Sequence, residues 1–132
     1  MRVKDMLIIK MKDAIKQIAN NNGFEITSRQ LIEEMAELTQ AINKFWRIQL
    51  DEGKRSFADA WIYSPEENNI CEEIADVEIC LEQLKIILTS RGKIKRIKIL
   101  KIKRQLKRIR EKNKIPHSQD KKRDILVSSK TF

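Results

Sequence analysis

"EEMAE" (Glu33–Glu37) and "EEIAD" (Glu72–Asp76) are the two short stretches on which the reading of this chain turns. Each sits in a segment with helical periodicity. Around the first, Leu31, Met35, Leu38, Ile42 and Phe45 recur at steps of four and three. Around the second, Ile70, Ile74, Val77, Leu81, Leu84 and Leu88 do the same. At about 100° per residue, Glu34 falls roughly 60° to one side of its apolar stripe and Glu37 roughly 120°. Glu73 and Asp76 take the same two offsets on the same side of theirs. Two helices packed through these stripes could therefore bring four carboxylates into one cleft. Like charges that close repel, and a cation is the simplest thing that would hold them there.

Working outward, helix signals flank both stretches. A first helix is expected from about Val3 to Asn21, with Leu7, Met11, Ala14, Ile15 and Ile18 on one face. Asn20-Asn21-Asn22-Gly23 then supplies a stop that tolerates left-handed backbone. Thr27 with Gln30 three residues on can form a capping box for a second helix, which runs to about Gln49. Asp51–Ser56 reads as a loop, and Phe57–Tyr63 as an aromatic-bearing connection. Ser64-Pro65-Glu66-Glu67 is a helix start, with a Ser N-cap, Pro at the first position and acidic residues in the first turn. That third helix should continue to about Ser90, with Gly92 able to end it. A fourth spans about Lys93 to Lys112, with Ile99, Ile102, Leu106 and Ile109 as its stripe and basic residues over most of the rest.

These elements predict an all-α, four-helix-bundle type of fold. Residues 1–112 form the helical domain and residues 113–132 a basic tail, flexible or packed on a partner. Its expected core is Leu31, Met35, Leu38, Ile42, Ile74, Val77, Leu81 and Leu84. Composition agrees: of 132 residues 41% are hydrophobic and 36% charged, with three Gly and two Pro, which suits one helical domain. No apolar run approaches the roughly 18 residues of a membrane span. Cys71 and Cys80, about 13 Å of helical rise apart, cannot bridge within an intact helix, so a reduced, cytoplasmic protein is expected.

Charge is segregated. Residues 1–90 carry 11 Lys/Arg against 16 Asp/Glu, a net of −5, and residues 91–132 carry 17 against 3, a net of +14. An acidic body with a basic end suits a site for metal plus polyanion, and equally a nucleic-acid-binding tail.

Written out, the signature is Glu-Glu-x-x-Glu, a long connection, then Glu-x-x-Asp. With "QLIEEMAELTQAINK" (Gln30–Lys44), "EEIADVEICLEQLK" (Glu72–Lys85) and a weaker "KIKRQLKRI" (Lys101–Ile109), the chain resembles the MazG-like all-α nucleoside triphosphate pyrophosphohydrolases over most of residues 28–110. The resemblance implies Mg²⁺-dependent hydrolysis (Mn²⁺ substituting) of a nucleoside triphosphate to a monophosphate and pyrophosphate. It implies metal ligands at Glu34, Glu37, Glu73 and Asp76, with Glu33 completing the motif as a candidate base. It also points to a homodimer or homotetramer. Helix three supports this independently, because Ala75, Ile79 and Ile86 give it a second apolar face.

Other candidates carry two readings each. Gln30 touches substrate or caps its helix; Lys44 meets a phosphate or is a surface lysine. Trp61 stacks on a base or covers the bundle end, and Trp46 packs in the core or stacks on a base. Lys101 and Arg104 match a basic family pattern and are candidate phosphate contacts. Glu78 and Glu82 read as solvated or ion-paired. One departure is the connection of 35 residues between Glu37 and Glu73, longer than in compact members of the family. The competing function is a helical nucleic-acid-binding module using residues 91–132. It leaves the matched carboxylates unexplained.

Overall fold

The structure, a computed structural model, describes residues 1–52 and 64–114. Among them every regular element is α-helical: α1 (Val3–Glu52), α2 (Pro65–Ile87) and α3 (Arg91–Lys114). The described chain falls into two compact units that divide between Ser90 and Arg91. The connection 53–63, with Trp61, and the tail 115–132 lie outside the described residues.

The first two expected helices are the two arms of α1, separated by a kink at Gly23. Gly23 leaves helical angles with φ 67° and ψ −175°, a region essentially reserved for glycine. The stop therefore falls where the Asn-Asn-Asn-Gly signal puts it, but the helix resumes at once. Thr27 is consequently no N-cap. It is fully buried inside the second arm of α1, where its Oγ1 donates to Gln83 Oε1 of α2 at 3.5 Å. The capping box with Gln30 is not formed, and Gln30 is exposed.

At α2 the start signal works as read: Ser64 Oγ accepts from the Glu67 backbone N–H, and Pro65 opens the helix. The helix ends earlier than expected. Leu88 caps it, Thr89 takes the left-handed conformation at φ 49°, and Ser90 N–H returns to Lys85 O. Gly92 lies inside α3 and terminates nothing.

The second arm of α1 packs on α2 in antiparallel order, with Thr27 against Gln83 near one end and Phe45 and Ala41 against Ile70 near the other. Leu31, Ala41, Phe45, Ile70 and Cys80 are the buried apolar side chains of this seam, and Leu38 packs on its edge. This corrects the expected core. Leu31 is buried and Leu38, Val77 and Leu84 are half-buried, but Met35, Ile42, Ile74 and Leu81 remain 37–44% exposed. The physical reason is the width of the stripes. Each is broad enough for two neighbours, and the hairpin partner covers only one edge of it. At 100° per residue in antiparallel helices, the exposed Met35 and Ile42 lie on the same side of the hairpin as Ile74 and Leu81. Glu37 and Asp76 lie on the other. Trp46, expected in the core, is 55% exposed and meets Phe45 edge-on at 6.4 Å.

In the second unit α3 has no buried residue, and Ile99, Ile102, Leu106 and Ile109 are 45–56% exposed.

Candidate functional site: a carboxylate cluster and its groove

The seam that buries Ile70 and Cys80 also carries Glu73, because positions 70, 73, 77 and 80 share one face of α2. Opposite, Glu34 lies between Leu31 and Leu38 on the packed face of α1. Both carboxylates are half-buried as a result, while Asp76, one turn beyond Glu73, is exposed. One carboxylate oxygen from each of Glu34, Glu73 and Asp76 lies within 4.8 Å of the others. The Glu73 Oε2 atom is buried and has no hydrogen-bond partner. A buried carboxylate oxygen left without donor or cation is costly and uncommon in a folded protein.

Burial in the seam pushes the Glu73 carboxyl above its ordinary pKa, and the neighbouring charges of Glu37, Asp76, Glu34 and Glu72 push the same way. Cys80, buried one turn beyond Asp76, has its thiol raised by desolvation first, then by Glu34 and Asp76. Both cysteines are free thiols. The exposed Cys71 donates to Glu67 Oε1 at 3.3 Å.

Beside the cluster runs a groove of about 340 Å³ between the end of α1 and the start of α2. Glu37, Gln40, Lys44 and Arg47 form one wall, and Asn69 and Glu73 the other. Glu37 thus stands next to Glu73 at the groove's acidic end, exposed and outside the tight three-carboxylate set.

The sequence-predicted residues therefore distribute as follows. Glu34, Glu73 and Asp76 converge, and Glu37 and Lys44 line the adjoining groove. Glu33 and Gln30 are exposed on α1, and neither joins the cluster or the groove wall. Lys101 and Arg104 are exposed on α3, in the other unit. Glu82 is half-buried and pairs with Lys85 one turn on. Gln40, Arg47 and Asn69 were missed. Their signal was available, since 37, 40, 44 and 47 form one helical ridge and Asn69 precedes Glu73 by one turn.

An all-carboxylate donor set of this kind suits a hard divalent cation. Among the described residues no helix is long and apolar enough to cross a membrane. No protein-family model matches the chain, and no curated protein or solved structure matches it.

Proposed function

We propose that the protein is a Mg²⁺-dependent nucleoside triphosphate pyrophosphohydrolase, cleaving between the α and β phosphates to give a nucleoside monophosphate and pyrophosphate. One observation carries this reading: Glu34, Glu73 and Asp76, from two helices, converge on one point with a buried, unpartnered carboxylate oxygen among them. The resemblance of the two carboxylate blocks to the MazG-like enzymes supports it.

Glu34, Glu73 and Asp76 would hold the ion, with Glu37 beside them in the groove as the fourth candidate ligand. Bound Mg²⁺, or Mn²⁺ in its place, supplies charge neutralisation for the triphosphate and a favourable site for the attacking water. The half-buried seam lowers the local dielectric, so the carboxylates act on charge more strongly than they would in bulk water. Glu33 remains the motif's candidate base, exposed on α1 and outside the three-carboxylate cluster.

The same reading includes a homodimer or homotetramer. The apolar side of the hairpin, with Met35, Ile42, Ile74 and Leu81 exposed, is opposite the carboxylate side. A second copy would cover such a face without blocking the site. Sedimentation showing only monomer at micromolar concentration would remove this part. With two free thiols, a reducing cytoplasmic setting fits the chain.

A second reading, polyanion or nucleic-acid binding through residues 91–132, is favoured by one observation. In α3, 13 Lys/Arg stand against Glu111 alone, and all are exposed. It predicts affinity that falls steeply with salt.

The test of the enzymatic reading is turnover in Asp76→Asn. That change removes a ligand charge and almost no volume at an exposed position. Activity should fall by orders of magnitude with the helical fold intact, whereas Glu78→Gln, exposed on the far side of α2, should leave it unchanged.

A further inference from the structure

The groove beside the cluster changes sign along its length. Glu37 and Glu73 mark one end, Lys44 and Arg47 the other, with the amides of Gln40 and Asn69 between. The ridge 37, 40, 44, 47 follows the i, i+3, i+4 spacing of one helical face, so Lys44 and Arg47 stand about 10 and 15 Å of rise beyond Glu37. Among the described residues neither cation pairs with a carboxylate, although acidic side chains line the same groove. Lysine and arginine stems reach back along the helix toward its N-terminus, here toward Glu37.

A ligand matched to this gradient chelates a cation at one end and carries free anionic oxygens at the other. A lone metal ion leaves the cationic half unused, and a simple anion would meet the carboxylates. We propose that the groove seats the terminal phosphates of a metal-chelated polyphosphate. Arg47 would clamp the outermost phosphate in forked geometry, with Lys44 on the phosphate nearer the metal and Asn69 donating between them. The proposal rests on the pyrophosphohydrolase reading and sharpens it. Affinity for substrate would come largely from the leaving pyrophosphate, whatever base the nucleoside carries.

Calorimetric titration of the full chain with Mn²⁺ alone, and then with inorganic pyrophosphate at saturating Mn²⁺, tests this. Arg47→Gln should weaken pyrophosphate at least ten-fold, and Lys44→Gln/Arg47→Gln further. Mn²⁺ affinity and the melting profile should be unchanged, because both side chains are exposed. Pyrophosphate affinity unaltered in the double variant, or wild type that binds Mn²⁺ but not pyrophosphate, would overturn the groove assignment and leave the metal site standing. Pyrophosphate binding that needs Arg47 but occurs without any Mn²⁺ binding would support the groove as an anion site and overturn the hydrolase reading.

Discussion

Replacing Glu73 with Gln should reverse the order of stability between variant and wild type according to whether a divalent cation is present. Without metal, wild type holds Glu73 half-buried in the seam, among Glu34, Glu37, Glu72 and Asp76, with one oxygen lacking any partner. Glutamine keeps the shape and removes the charge, so the metal-free variant should melt higher than wild type. Metal inverts this. A ligand bound only to the folded state stabilises by about 2.7 kcal/mol at a hundred times its Kd. For a cooperative unit near the size of residues 1–90, each kcal/mol moves the midpoint by about 4–8 °C. Wild type should therefore gain roughly 10–20 °C at saturating Mn²⁺, and Glu73→Gln almost nothing over the same range. Thermal melts followed by circular dichroism, with chelator and then across a Mn²⁺ series, read both arms. Two results would refute the reasoning: a variant that melts below wild type in chelator, or a wild-type midpoint that metal does not move.

Gly23→Ala should destabilise the chain by about 1–3 kcal/mol. An added Cβ would meet nothing within 4 Å, so the cost is that of φ 67°, ψ −175° alone; an unchanged urea midpoint would contradict the bend in α1. Phe45→Ala should cost about 3–5 kcal/mol, the range for a buried aromatic, since Phe45 packs with Ala41, Ile70 and Leu38 in the seam; the measurement is urea unfolding with the slope unchanged. Stability of the metal-free protein should also depend on pH through Glu73. Its folded pKa is raised above 4.5, so the stability it contributes is present below that value and lost as pH rises through the folded pKa. The wild-type minus Glu73→Gln difference should fall across that window, and a rising difference would reverse the sign of the argument.

Helical character, the Ser64-Pro65 start and the bend at Gly23 were legible because each depends on local chemistry. Thr27 was misread for the same reason. Its capping signal is local, whereas its partner Gln83 lies 56 residues away and only antiparallel packing reveals it. Helical phase alone brought Glu34, Glu73 and Asp76 to the right side. The seam then rotated toward them, which drew Glu34 and Glu73 inward and left Met35, Ile42, Ile74 and Leu81 outside. Periodicity locates a stripe but not which edge the first neighbour takes, so the exposed half of the expected core could not be foreseen from spacing. The end of α2 was misplaced because Thr89, a β-branched residue, adopts a conformation more usual for the glycine three positions later.

The measurement that bears most directly on function is the identity of the phosphorus products. The full chain is incubated with Mg²⁺ and each natural nucleoside triphosphate in turn, and the reaction is followed by ³¹P magnetic resonance. Cleavage between the α and β phosphates predicts a nucleoside monophosphate signal growing in step with inorganic pyrophosphate, with no orthophosphate and no turnover in chelator. Orthophosphate appearing with a nucleoside diphosphate, or no turnover of any triphosphate in the panel, would contradict it.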